Sequence, residues 1–215
     1  MRILVFTRTA GYRHESIPDG IRAFTALGEE HGLAVDATEE ADALAGPLHG
    51  YGAVVFLSTS GEVLTPEARS GLMAYCAAGG GFMGVHSAAC TEEDWPFFGG
   101  LLGARFVRHP RLQPGTVVVE DADHPATRHL PGRWPLTDEW YDFDVSPRGT
   151  VRVLASADEA SYEGGGMGRD HPLAWCHTHA GARVFYTSLG HSPEAYADPD
   201  YRAHLLGGLR SVLRR

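Results

Sequence analysis

Lysine and asparagine are both missing from this chain of 215 residues, so all 18 of its basic residues are arginine. Without lysine there is no amine to form a Schiff base, anchor pyridoxal phosphate or reach into a phosphate loop. Without asparagine there is no acceptor for N-glycosylation. Cysteine is scarce. Cys76, Cys90 and Cys176 are widely spaced and form no CxxC pair, which argues against a cysteine zinc site. An odd thiol count, and an N-terminus that enters a strand-like run at once, set the expectation of free thiols in a reducing cytoplasm. Long apolar runs are also lacking. Stretches such as Ala53–Leu57 fall far short of the roughly 20 residues that span a membrane. The formal charge of −9 argues against nucleic acid and anionic membranes as partners.

What is present suits one globular domain over residues 1–215, with 43% hydrophobic and 21% charged residues. Runs rich in β-branched and aromatic residues at Arg2–Thr7, Leu33–Ala37, Ala53–Leu57 and Phe82–Val85 read as strands. Helices are predicted between them, one from a Ser16 cap to Gly32 and one from Thr65 to about Ala77. This alternation implies right-handed βαβ units and a parallel sheet. Beyond residue 100 the pattern changes. Ala104–Val107, Thr116–Glu120, Trp140–Val145, Val151–Ala157, Leu173–Cys176 and Arg183–Ser188 read as strands without long helices between them. Gln113–Gly115 and Glu163–Asp170 read as loops, and Asp198–Arg215 as a closing helix.

Ligands of open α/β sheets bind beyond the carboxyl ends of the strands. Here Arg13-His14 follows the first strand, His86-Ser87 the fourth, and His191 the strand at Arg183–Ser188, so three histidines are placed to converge on one crevice. Gly84-Val85-His86-Ser87-Ala88 has the form of a nucleophile elbow with small residues on both sides of its centre. Acyl-transfer enzymes place Ser or Cys there. Imidazole is instead suited to act as general acid or base, or as a metal ligand. Ser87 is one residue off the centre, and its side chain is expected to point elsewhere. Cys90 reads as a small buried apolar residue. Thr137–Asp142 packs acids against aromatics; strand alternation would put Glu139 and Tyr141 on one face, and a carboxylate against Trp140 would have a raised pKa. His109 lies within reach of the crevice, whereas His124 and His129 read as surface. His177 and His179 share a strand face but lack a third nearby ligand.

Taken in order, Gly11–Ile17, Gly79–Ala88, Asp138–Tyr141 and Arg183–His191 resemble the ThuA-like (trehalose-utilisation) family of the class I glutamine amidotransferase-like superfamily. The resemblance implies a flavodoxin-like, doubly wound, mostly parallel sheet with a β-rich insertion in the second half. It also marks a departure. The amidotransferases carry Cys at the elbow, where this chain has His86, and a late His-Pro-Glu, where it has the longer His191-Ser192-Pro193-Glu194. Thioester hydrolysis of glutamine is therefore not expected. The family's link to trehalose implies chemistry on a disaccharide or keto-sugar. On this reading His86 is the general acid or base and Glu139 the complementary carboxyl group. Arg13, His14, Ser87, His109, Tyr141 and His191 contact the sugar. Two alternatives use the same crevice: an enzyme holding a divalent metal such as zinc on His14, His86, Glu139 and His191, and a sugar-binding or regulatory module without catalysis. A small-molecule sugar is the expected partner, and assembly into a homo-oligomer is left open.

Overall fold

The computed structural model describes residues 1–214. The first half runs β1 (Arg2–Phe6), α1 (Ile17–His31), β2 (Ala34–Thr38), α2 (Asp42–Ala45), β3 (Tyr51–Leu57), α3 (Pro66–Ala77), β4 (Gly81–Val85) and α4 (Pro96–Leu102). The second half adds β5 (Phe106–Arg108), β6 (Gln113–Val119), β7 (Arg133–Asp138), β8 (Asp142–Phe143), β9 (Arg152–Ala157), β10 (Pro172–His179), β11 (Ala182–Thr187) and α5 (Pro199–Val212). Nine strands form one sheet in the order β2-β1-β3-β4-β11-β10-β9-β6-β7, and β5 and β8 form a separate ribbon. The pairs from β2 to β11 are parallel, and those from β11 to β7 are antiparallel. This is the doubly wound arrangement, with the β-rich insertion continuing the same sheet. No helix among the described residues is long and apolar enough to cross a membrane.

Helices cover both faces of the parallel half, so its strands are apolar in nearly every position. Ile3, Val5, Val55, Leu57, Met83 and Val85 pack with Phe24 and Leu27 of α1 and Leu205 and Leu209 of α5. The alternate residues Leu4, Phe6, Val54, Phe56 and Phe82 pack with Leu72 of α3 and Phe98, Leu101 and Leu102 of α4. With both faces sealed, the carboxyl edge is where this half meets solvent.

Several local expectations change. Ser16 precedes α1, but its hydroxyl is buried without a partner and caps nothing; its carbonyl accepts the Gly20 amide instead. Thr65 does cap α3, accepting from the Ala68 amide. The strand expected at Trp140–Val145 shrinks to Asp142–Phe143, because the real partner of β6 is β7, a strand the pattern did not reveal. Pro135 obscured it, and Pro135 is tolerated because β7 lies at the sheet edge. That pairing also draws Gln113–Gly115, expected as loop, into β6. Helix α4 was hidden by its central Gly99-Gly100. A Cβ at Gly100 would lie 2.5 Å from the His179 ring, so close packing explains that glycine. His124 is buried, accepting the Ala126 amide, whereas His129 is exposed as expected.

Candidate functional site

Chain direction reverses sharply after β4. His86 takes a left-handed backbone, φ 53°, and opens a short 3₁₀ turn from His86 to Cys90. Such a conformation costs a non-glycine residue about 1–3 kcal/mol and persists only where its surroundings hold it. Here the Tyr186 hydroxyl donates to the His86 carbonyl at 2.9 Å. Gly84 is needed beneath, since a Cβ would lie 2.9 Å from Leu102 and 3.0 Å from Tyr186. The elbow form is therefore real, with imidazole at its centre.

His86 is fully buried. Its Nδ1 lies 2.7 Å from the Ser188 carbonyl and must donate to it, which leaves a lone pair on Nε2. That Nε2 faces His14 Nε2 at 3.1 Å, the Tyr141 hydroxyl at 2.9 Å and Glu139 Oε2 at 3.5 Å. His14 comes from the β1–α1 loop, with its Nδ1 3.3 Å from Ser87 Oγ. Ser87 thus turns toward the crevice, against expectation. His191 Nδ1 sits 3.1 Å from Glu139 Oε2, yet is buried without an aligned hydrogen bond. One ligand-type atom from each of His14, His86, Glu139 and His191 lies within 4.8 Å of the others.

Asp138, which the sequence placed in the motif without a site role, brackets this group. Its carboxylate accepts the amides of Glu139 at 2.8 Å, Gly190 at 2.8 Å and His191 at 3.2 Å. It so fixes the end of β7 against the loop after β11. Gly190 has φ 115°, and a Cβ there would meet the Tyr201 hydroxyl at 2.2 Å. An acid directly before Glu139 was the available signal.

Burial works against charge throughout the group. It lowers His14 to about 3, helped by the neighbouring His86 and His191, so His14 is neutral at pH 7. Burial pushes Glu139 up, but His191 and His86 outweigh it and hold the carboxyl well below the usual range. Glu139 in return pushes His191 up. A raised carboxyl was expected against Trp140, with no single residue named for it. Instead Trp140 turns away, stacking on Tyr162 and donating to the Gln113 carbonyl, and the raised carboxyl is the desolvated Asp138. Burial lifts the Cys90 thiol to about 12, which makes it inert.

A cavity of about 640 Å³ opens onto the group. Of the residues singled out from sequence, His14, Ser87, His109, Glu139 and Tyr141 line it. His86 and His191 stand behind that floor. His109 Nε2 lies 3.5 Å from Glu139 Oε1. Arg13 is not brought in: it is exposed and paired with Glu39 at 2.6 Å, because its side chain leaves the loop on the side opposite His14. Tyr12, Glu62, Glu93, Asp94 and Phe106 line the walls and had been given no site role, although Tyr12 and Glu62 lie in loops that follow strands. Tyr12 is adjacent to the Arg13-His14 motif, and Glu93-Asp94 follow the elbow closely enough to have been suspected. The wall is held by buried Glu92, whose carboxylate accepts the amides of Val63 and Leu64 and pairs with Arg69.

A second group, Asp142, Glu159 and His171, lies beneath the Glu163–Asp170 loop. His171 Nε2 donates to the Tyr141 carbonyl at 2.8 Å, and its Nδ1 meets Glu159 at 2.8 Å and the Tyr162 hydroxyl at 3.0 Å. Glu159 also accepts the Met167 amide, while Asp142 accepts the Gly166 amide and pairs with Arg108 at 2.6 Å. His177 and His179 face α4, away from both groups.

A family model described as ThuA, trehalose utilisation, matches residues 2–211. No curated protein matches. Among solved structures, a ThuA-like protein of Bacteroides uniformis is 25% identical with a TM-score of 0.83, over 98% of this chain and 90% of that one. A ThuA-like protein of Parabacteroides merdae is 20% identical with a TM-score of 0.81, over 100% and 92%. A cytoplasmic protein of Salmonella typhimurium LT2 is 16% identical with a TM-score of 0.67, over the whole of both chains.

Proposed function

Given that the chain belongs to the ThuA family of trehalose utilisation, we propose that it is an enzyme of carbohydrate metabolism that takes a disaccharide or keto-sugar into the cavity above His14 and Glu139. The observation that carries this reading is the composition of the cavity. Tyr12, Phe106 and Tyr141 offer ring faces for the C–H side of a sugar. Glu62, Glu93 and Asp94 offer carboxylates to its hydroxyls, and no arginine among the described residues lines the wall to favour a phosphate. At the floor, Glu139 is held ionised and His14 neutral, a pair able to take and orient a hydroxyl proton. His109 and Ser87 stand beside them as positioning groups. His86 and His191 act from behind the floor, through Glu139 and His14.

Glutamine hydrolysis is outside this reading, since imidazole occupies the elbow centre and no thiol stands in its place. The test is a panel of disaccharides and their keto forms, with turnover followed by product analysis and binding by calorimetry. Turnover on at least one member supports an enzyme. Binding without turnover would assign the crevice to a sugar-binding module, and neither would remove the carbohydrate reading.

A further inference from the structure

We propose that His14, His86, Glu139 and His191 hold a single divalent transition-metal ion whose open side faces the cavity. The identity of what approaches that side rests on the carbohydrate reading above; the ion itself rests on geometry.

The first argument is the convergence of ligand atoms. The Nδ1 proton of His86 is committed to Ser188, so Nε2 is an acceptor. The Tyr141 hydroxyl, 2.9 Å away, can donate to it, and the same buried atom also faces another imidazole nitrogen at 3.1 Å and a carboxylate oxygen at 3.5 Å. His191 Nδ1 and Glu139 Oε2 approach to 3.1 Å without hydrogen-bond alignment. Buried contacts of this kind each need a proton or a cation between the two atoms, and a single ion at their centre would serve all of them.

The second argument is spacing. Ligands bound tetrahedrally at 2.0–2.1 Å stand about 3.4 Å from each other. The separations here are 3.1, 3.1 and 3.5 Å. The third is the surrounding shell. Metal-bound histidines usually donate their other N–H to a carbonyl or similar group, as His86 does to Ser188, and Ser87 lies within reach of His14 Nδ1. Asp138 fixes the backbone of both Glu139 and His191. Three imidazoles and one carboxylate suit zinc, iron, manganese or nickel better than magnesium or calcium. His14 and Glu139 border the cavity while His86 and His191 are behind them, so the accessible side of the ion is the side a substrate reaches. An ion there supplies Lewis acidity toward a sugar hydroxyl or carbonyl.

The experiment starts from full-length protein purified without a histidine tag. Its metal content is measured, and chelator-stripped protein is then titrated with Zn²⁺, Mn²⁺, Fe²⁺, Ni²⁺ and Co²⁺. The expected result is one ion per chain, a higher thermal midpoint on reloading, and visible d–d absorption from the Co²⁺ form. His191→Gln and Glu139→Gln should each weaken Co²⁺ binding at least tenfold, with native circular dichroism, while Glu159→Gln leaves it unchanged. Absence of stoichiometric binding by any of these ions to the wild-type chain, or unweakened binding in both site variants, overturns the proposal. Ion binding without any sugar turnover would uphold the metal and remove the carbohydrate enzyme. Turnover by stripped protein that also fails to take up any of these ions would do the opposite.

Discussion

Two groups of histidine and carboxylate lie on either side of Tyr141, and their carboxylates are held differently. Around His171 the carboxylates meet backbone amides and a cation: amides at Glu159 and Asp142, and Arg108 at Asp142. Around His86 three imidazoles crowd the one carboxylate of Glu139, and the Tyr141 hydroxyl lies 2.9 Å from His86 Nε2. The first group is complete as folded, and ties the Glu163–Asp170 loop to the sheet. The second opens on a cavity through His14 and Glu139, which the first does not. Residue type alone therefore does not mark a site. Access and convergence do, and Tyr141 joins the two groups, its carbonyl held by one and its hydroxyl by the other.

The sharpest way to break this contrast is at the elbow. Asparagine tolerates the left-handed backbone that His86 adopts, so His86→Asn removes the imidazole without adding strain. Turnover on whichever sugar proves to be the substrate should fall about 10²–10⁴-fold, the share of an acid–base pair that loses the group positioning it. A variant that keeps wild-type kcat would show His86 to be packing only.

His204 supplies a third environment, buried and satisfied, between the Ala126 carbonyl and the Thr187 hydroxyl. Burial lowers it to about 4 from 6.5. The unfolded chain therefore binds a proton that the folded chain refuses between those values. Stability is unaffected by this residue above pH 6.5 and falls as pH drops toward 4, by about 3 kcal/mol in all. Urea denaturation of wild type and His204→Gln across that range measures it, and parallel curves for the two would refute it.

At the satisfied group, His171→Ala should cost about 1–3 kcal/mol, because it strands the Tyr141 carbonyl and the Glu159 carboxylate. Metal binding should survive. If the variant instead kept its stability and lost its ion, the two groups would have exchanged roles. The smallest effect belongs to Arg13→Ala. An exposed ion pair contributes about 0–1 kcal/mol, so both the thermal midpoint and kcat/KM should stay near wild type.

Sequence periodicity showed the parallel half almost element by element, because strands covered on both faces become continuous apolar runs and Pro66 and Gly32 punctuate the helices. The antiparallel half was harder. Its strands are partly solvated, and Pro135 and Gly115 weaken the two that pair most closely. The convergence of His14, His86 and His191 was legible because each follows a strand of the parallel half, and topology alone brings those ends together. Arg13 was misplaced for a related reason: adjacent loop residues point apart, and one chain position does not say which faces inward. Tyr12, Glu62 and Asp94 were given no site role because a cavity wall has no period.

The central position of β11 has a consequence for how the chain is made. It pairs with β4, and the Ser188 carbonyl just beyond it fixes a ring 102 positions earlier. Closing a loop of that length is an entropic cost that comes before any contact rewards it. On the ribosome, strands β1 to β4 emerge first and can pair among themselves. Until residues 182–188 have cleared the exit tunnel, β4 presents an open apolar edge and His86 lacks the carbonyl that takes its Nδ1 proton. The strand that leads into the elbow is thus also the one a nascent chain must protect longest from pairing with another chain.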